Sequence, residues 1–137
     1  MRVVLDTNVV VSGLMTRSGP CGMILDLVVD DRLTAALDGR MLGEYERVCA
    51  EPRLALDLDA VREFLHLLDD FSEKVTATPL KADVPDPDDL PFLEVAAETG
   101  AVLVTGNKKH FPKRVAGTVR VVSPREFLDM LRSPSRS

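Results

Sequence analysis

Short runs of apolar and β-branched residues alternate along this chain with longer amphipathic segments. Four clear apolar runs and one weaker run predict β-strands, at residues 2–5, 33–37, 101–104 and 119–122, with the weaker one at 75–78. Apolar positions at helical spacing predict α-helices over residues 21–29, 40–50, 61–71, 89–99 and 124–131. Strands that alternate with helices in this way predict an α/β domain around a mainly parallel sheet of four to five strands.

Local signals mark where several of these elements begin and end. Residues 9–15 leave two interpretations open, because their valines favour a strand whereas the polar break at residues 6–8 favours a turn into a short helix. Gly100 is expected to end its helix in the left-handed conformation. Ser123 and Glu126 have the spacing of a capping box, which predicts a helix start at that point.

The length of 137 residues favours a single domain, which we expect to span residues 1–132 and to be followed by a flexible tail at 133–137. Cys21 and Cys49 are interpreted as reduced core residues of a cytoplasmic protein. Met1 leads directly into the first predicted strand, so no signal peptide is expected. No apolar run approaches the ~20 residues that a membrane span requires.

The net charge of −5 conceals an asymmetry along the chain. Residues 1–105 carry 9 Lys or Arg against 20 Asp or Glu, whereas residues 106–137 carry 8 against 2. An acidic body attracts cations, and a basic segment can hold a phosphate backbone, although a solvated basic face explains the same pattern. The residues of this segment that we expect to contact RNA are Lys108, Lys109, Lys113 and Arg114.

Acidic side chains fall at the ends of elements and on buried faces, where they are costly unless something pairs with them. Asp6 follows the first strand, Glu44 lies on the apolar edge of a helix, and Asp89 begins the apolar stripe of another helix. Three separated acids that converge are what a hard divalent cation such as Mg²⁺ requires. The pattern therefore indicates a metal-dependent enzyme that acts on phosphate.

Each of these residues also has a structural interpretation. Asp6 could cap the helix that follows it, and Asp88 or Asp89 could cap the next one. The Glu44 side chain could extend to solvent, and Asn107 could serve only a turn. The order in which these residues occur along the chain favours a shared site over separate structural roles.

That order resembles the PIN domain family, and most closely its stand-alone VapC-like members. The similarity runs from residue 2 to about 127 and rests on a set of short motifs: Asp6-Thr7-Asn8, Glu44, Asp86-Pro87-Asp88-Asp89 before Phe92-Leu93, and Val104-Thr105-Gly106-Asn107. The resemblance implies a Rossmann-like three-layer α/β sandwich. It also implies a ribonuclease that holds one or two Mg²⁺ or Mn²⁺ ions in an acidic pocket.

Residue roles follow from the resemblance position by position. Asp6, Glu44 and Asp89 match the family's catalytic and metal-binding acids, with Asp86 as a further ligand and Asp88 as another candidate. The polar residues expected to orient the acids are Asn8, Thr105 and Asn107. Many family members have Asp where this chain has Asn107, so a weaker cation site is expected.

His110 follows the basic pair Lys108-Lys109. It could act as a general acid, but a position on a surface loop is expected.

The resemblance implies an endoribonuclease toxin of a toxin–antitoxin pair, with RNA as substrate, a cognate antitoxin as partner and a homodimer as assembly. The alternative is a catalytically weak PIN domain that binds RNA or protein, and Asn107 is the feature that keeps this alternative open.

Overall fold

Five parallel strands and seven α-helices make up the domain, which a computed structural model describes for residues 1–132. The expected flexible tail at 133–137 lies outside these residues. The strands are β1 (Arg2–Leu5), β2 (Thr34–Leu37), β3 (Glu73–Lys74), β4 (Val102–Val104) and β5 (Val121–Val122). The helices are α1 (Thr7–Met15), α2 (Pro20–Val29), α3 (Gly39–Cys49), α4 (Leu58–Phe71), α5 (Leu90–Thr99), α6 (Lys113–Ala116) and α7 (Pro124–Arg132).

The order of the strands across the sheet is β3-β2-β1-β4-β5, and each neighbouring pair is parallel. The chain adds β2 and then β3 on one side of β1, and afterwards adds β4 and then β5 on the other side. Such a reversal opens a crevice at the carboxyl ends of the two central strands. A ligand site is therefore expected after β1 and β4.

The core is continuous and built from the predicted apolar positions. Val3, Val4 and Leu5 of β1 are buried, as is Leu103 of β4. Helix α5 packs against β1, β2 and β4, whereas α1 contacts α2 and α3. The prediction of a parallel α/β sheet flanked by helices is confirmed. None of the helices within residues 1–132 is long and apolar enough to cross a membrane.

Most of the predicted element boundaries are confirmed to within a few residues. Residues 9–15 belong to helix α1, so the polar break rather than the valines decided the structure. Gly100 ends α5 with a φ of 71°. At the start of α7, the Glu126 carboxylate accepts from the Ser123 backbone N–H, and the Ser123 hydroxyl accepts from the Glu126 N–H, as in a capping box.

The predicted strand at residues 75–78 is wrong. The strand is Glu73–Lys74, which pairs with Ala36 and Leu37 of β2. Because β2 ends at Leu37, its last carbonyl pairs with the Val75 N–H, and the ladder then has no further partner. The next residues turn away from β2, and Thr78 bonds to the Glu98 side chain instead.

Candidate active site

Asp6 lies at the carboxyl end of β1, and both of its carboxylate oxygens accept hydrogen bonds. Its backbone N–H donates to the Val104 carbonyl of β4 at 2.9 Å. Oδ1 accepts from the Thr7 N–H at 2.8 Å, which caps α1. Oδ2 accepts from the Thr105 hydroxyl at 2.7 Å and from the Asn8 amide at 3.2 Å. The capping interpretation is therefore confirmed, and the same side chain also faces the crevice. Burial nevertheless raises the pKa of Asp6, and the hydrogen bonds only partly offset this effect.

Two of the three predicted orienting residues contact Asp6 directly. Asn8 bridges α1 to the loop after β4, since its Oδ1 accepts from the Gly106 N–H at 2.9 Å. A side chain at Gly106 would crowd Asn8, because a Cβ there would stand 3.2 Å from Asn8 Oδ1. Asn107 takes part only through its backbone N–H, which donates to the Thr105 hydroxyl at 3.0 Å.

Asp89 ends a 3-10 turn, Pro87–Asp89, directly before α5. It is only 8% exposed, and its Oδ2 is buried without a hydrogen bond. Oδ2 lies 2.8 Å from His110 Nδ1, but the two atoms are not aligned as a hydrogen bond. Burial, reinforced by the Asp6 charge, raises the pKa of Asp89 to about 6.

The capping prediction for Asp88 or Asp89 is confirmed in position only, because Asp89 is the N-cap residue of α5 but its side chain accepts no capping hydrogen bond. Asp86 supplies a side-chain cap for the preceding 3-10 turn, because its Oδ1 accepts from the Asp88 N–H at 3.0 Å. The turn comes between the loop and the helix, so Asp89 lies at the end of the turn and its side chain makes no capping bond.

Glu44 extends from helix α3 toward Thr7, beside Asp6 at the carboxyl end of β1. Its Oε2 accepts from the Thr7 hydroxyl, and its Oε1 lies 3.5 Å from Arg47 Nη2. The neighbouring Tyr45 is buried, and its hydroxyl donates to the Leu5 carbonyl at 2.5 Å. This bond fixes α3 against the end of β1 and so sets the position of Glu44.

These side chains border one cavity of about 500 Å³, which we call the acidic cavity. Its carboxylates are Asp6, Glu44, Asp86 and Asp89. Asn8 and His110 also line it, whereas the six other polar or basic candidates do not: Thr105, Asn107, Lys108, Lys109, Lys113 and Arg114. A larger cavity of about 790 Å³ lies between α3 and α4, and no carboxylate with a raised pKa lines it.

The donor set fits a hard divalent cation. Within residues 1–132, no group of three or more His, Cys, Asp or Glu side chains is close enough together to hold a metal ion as the side chains stand. Mg²⁺ commonly binds through one or two carboxylates and keeps several waters, so a complete protein cage is not required. The buried Asp89 Oδ2 accepts no hydrogen bond and feels the Asp6 charge, so a cation beside it would stabilise this carboxylate in addition to the nearby His110 ring.

His110 lies on a surface turn, as predicted, and 39% of its side chain is exposed. It also lines the acidic cavity and contacts Asp89, which the sequence did not predict. A 3-10 turn, Lys108–His110, directs the side chain back over the end of the sheet. The sequence signal that could have found it is its distance of six residues from the end of β4, on the same edge as Asp6. Arg53, which also lines the cavity, was not singled out either.

The four predicted RNA-binding residues lie outside the lining of the acidic cavity. Lys108 Nζ lies 2.9 Å from the Glu126 carboxylate, which is therefore its ion-pair partner. Lys113 and Arg114 belong to α6, and Arg114 lines another cavity, together with Lys81. Lys109 is exposed on the 3-10 turn.

Comparison with known proteins agrees with this architecture. A family model described as the PIN domain matches residues 2–109. An uncharacterized protein of Methanocaldococcus jannaschii is 29% identical over 140 residues, an alignment that covers 94% of this chain and 90% of that protein. A chain in the crystal structure of VapBC2 from Rickettsia felis, bound to a DNA fragment from their promoter, superposes with a TM-score of 0.63. It is 18% identical, and the superposition covers 90% of this chain and 98% of that one.

Proposed function

Because the chain belongs to the PIN domain family, we propose that it is a metal-dependent endoribonuclease that hydrolyses RNA phosphodiester bonds at the acidic cavity. The observation that carries the proposal is the Asp89 carboxylate. It is buried, it has an unbonded oxygen, and it faces the same cavity as Asp6. A divalent cation bound between these carboxylates would offset the free-energy cost of burying them close together.

Asp6 and Asp89 would hold Mg²⁺ or Mn²⁺, with Glu44 bound to the ion or to one of its waters and Asp86 as a further oxygen ligand. When bound, the ion supplies charge stabilisation for the phosphoryl oxygens and an acidified water. Thr105, Asn8 and the Thr7 N–H fix the orientation of the Asp6 carboxylate. Asn107 acts on this arrangement indirectly, through its backbone bond to Thr105.

RNA would approach over the basic segment that follows the cavity. Lys109 and Lys113 have exposed side chains on this segment, and Lys108 and Arg114 add to its positive charge. Phosphate contacts of this kind position a strand without reading its sequence. The 3-10 turn that carries His110 into the cavity also carries Lys108 and Lys109, which supports this route.

The biological role that we propose is that of a toxin restrained by a cognate antitoxin protein. Support comes from the fold that this chain shares with a chain of the VapBC2 complex. The acidic balance of residues 1–105 suits a partner that inserts a basic side chain among the acids. The proposal includes a homodimer, and a cytoplasmic location, where cellular RNA is found and free cysteines such as Cys21 and Cys49 persist.

A catalytically weak PIN domain that binds RNA or protein is the second candidate. The observation in its favour is that Glu44 is already engaged by Thr7 and Arg47, so a third acid is not free to meet a cation. The uncharged Asn107 favours it as well. In this candidate, purified protein would bind RNA without cutting it.

RNA cleavage by purified protein separates the two candidates. Wild type, Asp6→Asn and the control Asp59→Asn would be incubated with a mixed RNA substrate and Mn²⁺ or Mg²⁺, with EDTA in a parallel reaction. Asp59 is an exposed carboxylate on α4, so its loss should leave cleavage intact. We expect cleavage by wild type and Asp59→Asn only. Absence of cleavage by a folded, partner-free wild type would favour the binding module.

A further inference from the structure

His110 and His66 are the two histidines of the chain, and their surroundings differ. His110 borders the acidic cavity, and its Nδ1 lies 2.8 Å from the buried Asp89 Oδ2. His66 lies on α4, 3.5 Å from the exposed Asp70 carboxylate. His110 therefore lies against the one fully buried carboxylate oxygen of the acidic cavity that accepts no hydrogen bond, and this placement requires its own explanation.

The backbone holds His110 in this place. The His110 N–H donates to the Asn107 carbonyl at 3.1 Å, and the Phe111 N–H donates to the Lys108 carbonyl at 3.0 Å. Phe111 is buried in the core and anchors the end of the turn. The His110 side chain remains 39% exposed, so it has room to rotate toward the cavity.

The contact between His110 Nδ1 and Asp89 Oδ2 has the separation of an ion pair but not the alignment of a hydrogen bond. The nitrogen and the oxygen are close, but the ring N–H direction at Nδ1 is not aligned on Oδ2. In an octahedral shell, two neighbouring ligand atoms also lie ~3 Å apart, and each of them points at the shared ion rather than at the other. The observed separation and misalignment are both expected of two such ligands.

We propose that His110 Nδ1 is a nitrogen ligand of the divalent ion, beside Asp89 Oδ2. This inference rests on the proposed function, and it adds a residue and a metal preference to it. Mg²⁺ is a hard cation that takes oxygen ligands, whereas a divalent transition metal such as Mn²⁺ also accepts an imidazole nitrogen. A site with this nitrogen ligand prefers Mn²⁺ to Mg²⁺ more strongly than the same site without it.

Pulsed electron paramagnetic resonance of bound Mn²⁺ tests the ligand directly, because a coordinated nitrogen gives a characteristic hyperfine coupling. Spectra would be recorded for wild type, His110→Ala and the matched control His66→Ala. We expect the coupling in wild type and His66→Ala, and its loss in His110→Ala. Wild type labelled with ¹⁵N-histidine provides a test without substitution, since the coupling must change from that of ¹⁴N to that of ¹⁵N.

Mn²⁺ and Mg²⁺ titrations of the same proteins give a second readout. As a ligand, His110 strengthens Mn²⁺ binding, so His110→Ala should weaken it by about tenfold or more and should weaken Mg²⁺ binding less. If His110 is only a cationic partner of Asp89, its removal frees the carboxylate and Mn²⁺ binds at least as tightly as before.

Two results overturn the inference alone: Mn²⁺ bound to wild type without nitrogen coupling, or binding that His110→Ala leaves equal or tighter. Failure of folded, partner-free wild type to bind Mn²⁺ at all would instead overturn the proposed metal-dependent function, and this inference with it.

Discussion

The Thr105 hydroxyl donates to Asp6 Oδ2 at 2.7 Å, although 99 positions separate the two residues in the chain. The bond exists because β1 and β4 are neighbours in the sheet and both residues directly follow their strands. Thr105 is fully buried and also accepts from the Asn107 N–H. One hydroxyl therefore fixes the carboxylate and the loop after β4 together.

We expect Thr105→Val to destabilise the protein. Valine has nearly the same shape but removes the donor to Asp6 and leaves the Asn107 N–H without its acceptor. The free energy of unfolding should fall by about 1–3 kcal/mol. The pKa of Asp6 should rise further, because the bond to Thr105 now lowers it.

Urea denaturation in EDTA measures the change in stability, with Thr105→Ser as the control that keeps the hydroxyl. A Thr105→Val protein as stable as wild type would show that the bond contributes nothing to the fold.

The raised pKa of Asp89 predicts a pH dependence of stability. In the folded protein this pKa is about 6, against 3.8 for the unfolded chain, so between these pH values the native state binds more protons. Stability contributed by Asp89 is present below pH ~4 and is lost as pH rises through 6. The loss amounts to up to about 3 kcal/mol in metal-free protein.

Asp89→Asn removes this dependence and should be more stable than wild type at pH 7 in EDTA. The stability difference between the two proteins should grow from pH 4 to pH 6 and then stay constant. Asp59→Asn, at an exposed position, should show no such growth. A difference between Asp89→Asn and wild type that is independent of pH would argue against a raised pKa.

Glu44→Gln separates charge from hydrogen bonding on α3. The glutamine carbonyl can still accept from the Thr7 hydroxyl, so thermal stability should change little. Removal of the charge should weaken metal binding and cleavage by about 10–100-fold, the effect typical of groups that support a metal site. Calorimetric titration with Mn²⁺ and the cleavage rate check this. Unchanged metal affinity would remove Glu44 from the site.

The exposed lysines of the basic segment should contribute to RNA affinity through phosphate contacts. Replacing Lys109 and Lys113 by alanine should weaken binding of RNA to the cleavage-deficient Asp6→Asn protein. The slope of log affinity against log salt should become shallower by ~0.7 per lost contact. Lys74→Ala, which lies on the opposite edge of the sheet, is the control. An unchanged slope would place the RNA elsewhere.

The sequence predicted the elements where local chemistry decides the structure. The Ser123 and Glu126 capping box, the Gly100 helix stop and the apolar strand β1 all depend on neighbours in the chain. The strand β3 was misplaced because its length is set by the end of β2 rather than by its own residues. The family and the fold followed from the order of the motifs along the chain.

The site was predicted less completely than the fold. Asp6 and Asn107 could be placed on one edge because both closely follow predicted parallel strands. The contact of His110 with Asp89 depends on how a 3-10 turn folds back over the sheet, and periodicity carries no information about that. For the same reason the capping role of Asp86, and the absence of a capping hydrogen bond to the Asp89 side chain, appeared only in the structure.

Analysis of the product ends tests the central claim most directly. Wild type and Asp6→Asn would be incubated with a defined RNA and Mn²⁺, and the 5′ and 3′ ends of the fragments identified. Attack by a metal-activated water leaves no 2′,3′-cyclic phosphate, so we predict fragments with a phosphate at one end and hydroxyl at the other, absent with Asp6→Asn or EDTA. Cyclic phosphate ends, or equal cleavage by Asp6→Asn, would contradict a metal-dependent nuclease at this cavity.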